Sequence, residues 1–124
     1  MNAKDPAHIH TLFLKAFNAG DVDALVALYE PNAVLMVNGE PVTGLESIRA
    51  AYQRFVARRP QMVLKTRSVV MFDDSLAVLH SDWSIEGPAV GKSGTAKSGL
   101  STEVVRRQAD GSWGFVIDNP HTPR

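Results

Sequence analysis

The sequence predicts an α+β domain, and three observations carry that reading. Apolar residues recur at three- and four-residue steps in the first part of the chain, the mark of amphipathic helices. From Met62 onward the pattern changes to long β-rich runs separated by turn residues. Helices come first and an antiparallel meander follows, rather than helix and strand in alternation. Three helices cannot cover both faces of such a sheet. A curved sheet wrapped around them, self-associating on its outer side, resolves the difficulty.

The elements follow in order. Asp5-Pro6 starts a helix, an N-cap acid followed by proline at the first helical position. Ile9, Leu12, Phe13, Ala16 and Phe17 form its apolar stripe, and Gly20 ends it. Asp21 caps a second short helix, "VDALVALYE", which Pro31-Asn32 stops. "AVLMV" is a buried strand and "NGEPVTG" turns the chain back. Glu46 to Arg59 forms a third helix with Leu45, Ile48, Tyr52, Phe55 and Val56 on its apolar side. Four β-runs complete the chain: "MVLKTRSVVMF", "SLAVLHSDWSIEG", "AKSGLSTEVVRR" and "SWGFVID". Between them, "GPAVGKSGTAKSG" reads as a mobile loop.

Composition narrows the function classes. With 124 residues, 44% of them hydrophobic and 21% charged, the chain makes one soluble domain over residues 1–124. Thirteen basic and thirteen acidic residues cancel, so no field of one sign steers nucleic acid or an acidic membrane toward it. Arg54, Arg58 and Arg59, and separately Arg106 and Arg107, read as solvated surface. The absence of cysteine excludes disulfides, thiolate metal sites and cysteine nucleophiles. "MNAKDPAHIHTLFLKAF" lacks the apolar segment of a signal peptide, and a cytoplasmic protein is expected.

Two stretches carry a resemblance. "FNAGDVDALVALYEPNAVLMVNGEPVTGLESIRAAY" resembles the opening half of the ketosteroid-isomerase and SnoaL-like branch of the nuclear-transport-factor-2-like superfamily. "STEVVRRQADGSWGFVIDNP" looks like the end of uncharacterised ketosteroid-isomerase homologues. The resemblance implies a cone-shaped, curved antiparallel sheet wrapped around three N-terminal helices, a cystatin-like α+β barrel. It also implies a homodimer formed through the outer sheet face and a pocket between helices and sheet. It does not imply one activity, because a single scaffold carries many. The isomerase's base falls at Val37 and its oxyanion tyrosine at Phe13, so neither group carries over. Its second oxyanion donor, a carboxylic acid that an apolar site keeps protonated, falls at Glu103. A pocket tyrosine of its third helix has a counterpart in Tyr52.

Strand arithmetic then places the acids. A four-residue turn, Gln108 to Gly111, sets Arg107 opposite Ser112, Glu103 opposite Val116 and Ser101 opposite Asp118. One face then carries Ser101, Glu103, Val105, Val116 and Asp118, and the other Leu100, Thr102, Val104, Phe115 and Ile117. On pattern alone the apolar face meets the helices and the acids face water. On the resemblance the acids line the pocket and the apolar face is covered by a second subunit. In the latter case the two carboxylates are diagonal neighbours, and desolvation with like charge keeps one protonated. The preceding strand puts Leu79, Trp83 and Ile85 inward, and Phe13, Phe17, Met36, Val37, Tyr52 and Phe55 supply further walls with Val116.

The four histidines show no metal-ligand spacing: His8 and His10 point in different directions on a helix, and His80 lies on the face opposite Trp83. His121 either folds over the pocket mouth or frays. The expected function is binding of a small apolar or aromatic molecule. Any chemistry is cofactor-free and metal-free, an isomerisation, cyclisation or dehydration with Glu103 and Asp118 as proton-transfer groups. The rival is a non-catalytic binding or dimeric association module of the same fold.

Overall fold

The computed structural model describes residues 3–86 and 97–122, so the loop expected over "GPAVGKSG" lies outside the described residues. Helix α1 spans Pro6–Ala19; the Asp5 carboxylate accepts from the His8 N–H, and Gly20 closes the helix at a φ of 70°. Helix α2 is short, Val22–Val26, capped by Asp21. Strands β1 (Tyr29–Val37) and β2 (Glu40–Thr43) form a hairpin around Asn38-Gly39, both at positive φ, as a two-residue turn requires. Helix α3 is Leu45–Val56. Strands β3 (Gln61–Phe72), β4 (Leu76–Glu86), β5 (Lys97–Arg107) and β6 (Trp113–Asn119) follow.

The fold is α+β, a single curved, unclosed six-stranded sheet in the order β2-β1-β6-β5-β4-β3. It differs from the expected all-antiparallel sheet at one seam: β1 and β6 run parallel. The second helix also ends earlier than expected. After Leu28 the backbone turns extended, and Phe115 N–H donates to the Leu28 carbonyl at 2.7 Å. Pro31 is tolerated in β1 because pairing with β6 is interrupted between Tyr29 and Val34. Among the described residues no helix is long and apolar enough to cross a membrane.

The concave face of the sheet is organised in rows. At the wide end Met62, Ile85 and Lys97 are register partners across β3, β4 and β5. Then come Leu64, Trp83 and Gly99, and next Thr66, Ser81 and Ser101. Deeper still, Leu79, Glu103, Asp118 and Leu35 form a row across β4, β5, β6 and β1. The last row is Ala77, Val105, Phe115 and Tyr29, closed against α1 by Phe13, whose ring meets Phe115 edge-on at 6.1 Å.

This row pattern corrects the expected β5–β6 register. Arg107 pairs with Trp113 rather than Ser112, and Val116 is an extra residue bulged out between Phe115 and Ile117. Phe115 and Asp118 are an odd number of residues apart and could not share a face of a regular strand; the bulge lets them. Phe115 is therefore core, 2% exposed, and not part of the outer face where the regular pattern put it. On the convex side Val70, Val78, Val104 and Ile117 form a β-branched row across four strands. Val70, Ile117, Val63 and Phe72 are exposed there.

Candidate functional site

A cavity of about 390 Å³ lies between α1, α3 and the concave face of the sheet. Of the residues expected to line it, Phe13, Phe17, Met36, Val37, Tyr52, Phe55, Trp83, Ile85, Glu103 and Asp118 do so. Leu79 and Val116 do not. Leu79 points inward but is sealed completely beneath its neighbours, and Val116 is turned off the wall by the bulge.

Glu103 and Asp118 are buried and are direct register partners, not the diagonal neighbours of the regular alignment. Opposed residues on one face bring their Cβ atoms to about 5 Å. Each acid is anchored by its own network. Glu103 Oε1 lies 2.6 Å from His10 Nε2, and His10 Nδ1 lies 2.7 Å from Thr66 Oγ1. A neutral imidazole protonated at Nε2 satisfies both contacts, donating to Glu103 and accepting from the Thr66 hydroxyl. On the other side the Tyr29 hydroxyl donates to Asp118 Oδ2, and the Tyr29 and Tyr52 hydroxyls are 2.6 Å apart.

No side-chain polar atom of the described residues is buried without a hydrogen-bond partner. Glu103 Oε2 and Asp118 Oδ1 take no bond from any described residue, and both side chains line the cavity. Burial, and then the negative charge of Glu103, push the Asp118 carboxyl up to about 8 against the opposing Tyr29 bond. Burial and the neighbouring charge thus favour the protonated form of Asp118, which carries an O–H. Burial also raises both Tyr29 and Tyr52 well above the ordinary phenol range, so they remain donors.

Three of these participants fall outside the sequence-based expectation. The two-residue spacing of His8 and His10 argues only against a chelating pair. Yet His10 stands three and seven residues before Phe13 and Phe17, on one helical face with two cavity residues. Tyr29 is masked in the sequence by helical spacing that runs on past the true end of α2. With Tyr52 it supplies the aryl hydroxyls that Phe13 cannot, though from a strand and tied to Asp118. Thr66 carries no sequence signal; it meets His10 only through the fold.

At the wide end Trp83 lies across the backbone of Gly99, where an added Cβ would approach its ring to 2.9 Å. Its indole N–H donates to the Pro120 carbonyl at 2.7 Å, and His121 packs edge-on at 5.2 Å. Thr122 N–H donates to Leu100 O, which pins the tail along β5. His121 thus lies on the cavity wall rather than fraying. His80 bonds Ser68 on the convex side, away from the cavity. Among the described residues no three His, Asp or Glu side chains converge as a metal site.

A curved sheet around helices, with a cavity on its concave side, is the architecture of the nuclear-transport-factor-2-like proteins. Within that class the chain belongs to the SnoaL-like family, whose domain profile matches residues 10–116. It is similar in structure to a putative calcium/calmodulin-dependent protein kinase II association domain from Xanthomonas campestris, with a TM-score of 0.77 and 22% identity over 98% of this chain and 94% of that one. A ketosteroid isomerase-like protein from Erwinia carotovora atroseptica aligns with a TM-score of 0.71 and 22% identity over 94% of each chain. A putative dehydratase of the NTF2-like family from Streptomyces avermitilis aligns with a TM-score of 0.74 and 19% identity, again over 94% of each. No curated protein matches the sequence.

Proposed function

We propose that this protein binds a small, mainly apolar molecule and transforms it by cofactor-free acid–base chemistry of the isomerase, cyclase or dehydratase type. One observation carries the reading: two buried carboxyls, held by separate networks, line the same cavity, each with one oxygen unbonded among the described residues. Glu103 Oε2 takes a proton from the ligand while the Asp118 O–H gives one to a developing oxyanion or a departing hydroxyl. His10 fixes Glu103, and Tyr29 fixes Asp118. Tyr52 and Trp83 orient the ligand's apolar body. Two groups whose surroundings separate their protonation states are what such a proton exchange needs. A cytoplasmic location goes with this reading.

The test uses a panel of apolar ketones and β-hydroxy ketones in deuterium oxide, with proton NMR reading exchange beside the carbonyl or loss of water. The wild type accelerates one or both, and Glu103→Gln or Asp118→Asn lowers that rate by roughly 10²-fold or more. Equal rates in wild type and both variants would end the catalytic reading.

A second reading rests on the convex face. A β-branched row crosses four strands there, with Val63 and Phe72 exposed at 63% and 68%. Apolar surface of this kind marks association, and it supports a homodimer formed through this face. Such a dimer serves either a catalytic protein or a purely associating one. Native mass spectrometry of the protein as purified separates these, reporting both the assembly and any retained small molecule.

A further inference from the structure

The cations of the chain are not distributed evenly around the cavity. Arg54, Arg58 and Lys97 are exposed yet belong to its wall, all at the wide end. Arg54 and Arg58 are four residues apart at the end of α3. The Arg58 N–H still donates to the Phe55 carbonyl, so the two project from one side of that turn. Lys97 stands across the opening in the row of Met62 and Ile85. None of the three joins an ion pair among the described residues; the pairs there are Arg49–Asp23, Arg67–Asp82 and Arg106–Glu30. Among the described residues the only acids on the cavity wall are Glu103 and Asp118, and both lie at the floor. Lys97 and Glu103 are six residues apart along β5, about 20 Å of strand at roughly 3.3 Å per residue. Between them the wall is made of Leu64, Trp83, Phe13 and Phe17, with Ser81 and Ser101 bonded to each other in the one polar row.

We propose that the ligand is an amphipathic acid, with an apolar body that fills the cavity and an anionic group, such as a carboxylate, held at the rim by Arg54, Arg58 and Lys97. This rests on the cavity being the ligand site, and it adds a polarity to it. The anion is drawn to the rim cations and kept off the floor by the charge of Glu103, so the opposite end of the body meets the acid–base pair. The reacting atoms and the anion are then separated by the length of the apolar wall. Short acids with the carboxylate beside the reacting carbon do not fit this arrangement, whereas ring-bearing or chain-bearing acids do. The cluster Arg54, Arg58, Arg59, which reads as plain surface in the sequence, thereby divides: two of its members belong to the cavity and Arg59 does not.

Two probes with one skeleton test this: 8-anilinonaphthalene-1-sulfonate, which carries an anion, and N-phenyl-1-naphthylamine, which does not. Binding is followed by the indole N–H resonances of the two tryptophans, since Trp83 lines the cavity and Trp113 does not. Both probes should move the Trp83 signal and leave Trp113 unchanged. The sulfonate should bind about tenfold more tightly at low salt, a gap of the size that a few exposed charge contacts supply. The triple variant Arg54→Gln, Arg58→Gln, Lys97→Gln should close that gap without weakening the neutral probe. Equal affinities in the wild type, or a gap that survives in the triple variant, would overturn the amphipathic acid and leave the cavity as a ligand site. If neither probe moves Trp83, the ligand site itself falls, and this proposal falls with it.

Discussion

Glu103 and Asp118 face each other directly across the β5–β6 pairing, yet they hang from different parts of the fold. Helix α1 holds the first through His10, and strand β1 holds the second through Tyr29. Neighbouring acids in a buried site favour different protonation states, and burial with the charge of Glu103 raises Asp118.

Stability should therefore fall as pH rises. Asp118 has its folded-state value raised to about 8, above the ordinary carboxyl value of 3.8. Between those values the native state binds more protons than the unfolded one. The favourable contribution is complete at low pH and is lost as pH climbs toward 8, by at most about 1.4 kcal/mol per pH unit. Urea denaturation of wild type and Asp118→Asn at pH 6 and 8.5 checks this. The variant should lack the slope; an equal slope in both would assign it to other groups.

Removing His10 should be costly. Both His10 and Glu103 are buried, and His10→Ala leaves a buried acid without its partner, at about 3–5 kcal/mol. Adding Glu103→Gln should restore part of that loss, because a neutral amide is cheaper to bury. A double variant no more stable than His10→Ala would mean that the cost came from packing alone.

Gly99→Ala should perturb the cavity mouth. A Cβ there meets the Trp83 ring at 2.9 Å, so the ring must tilt from the β5 backbone and strain its bond to Pro120. A loss of roughly 1–3 kcal/mol, as for an overpacked site, should accompany a change in Trp83 fluorescence. Gly39→Ala, with open space around its Cβ but a φ of 81°, should cost only about 1 kcal/mol and leave the fluorescence alone.

The convex row gives a fourth expectation. Val70→Lys with Ile117→Lys places two charges in the exposed β-branched row and should convert a dimer to a monomer with its circular dichroism unchanged. Native mass spectrometry reads the outcome. A wild-type monomer, or a double variant that remains dimeric, would remove this face as the interface.

The helical stripe of α1, the caps Asp5 and Asp21 and the change of period at Met62 are local signals, and each is legible in the chain. So is the inward placement of both acids once a resemblance fixes which face meets the helices. The β5–β6 register is not legible, because the bulge at Val116 reflects packing of Phe115 against Phe13 and Tyr29 rather than any turn residue. Tyr29 is lost to helical spacing that continues past the real end of α2. The His10–Glu103 contact joins residues 93 positions apart, a separation that no periodicity reports.

The strand order carries a consequence for how the chain is made. The last strand in sequence, β6, lies in the interior of the sheet, where it alone joins the β1–β2 hairpin to β5, β4 and β3. On a ribosome the early hairpin and the later meander must wait as separate pieces until β6 emerges. Until then, the edges of β1 and β5 stay open, and Tyr29 and Glu103 lie on opposite sides of a gap. A chain without β6 thus leaves two strand edges open, a hazard for edge-to-edge aggregation. Completion of the hydrophobic core and assembly of the acid pair are then a single late event, set by the delivery of seven residues.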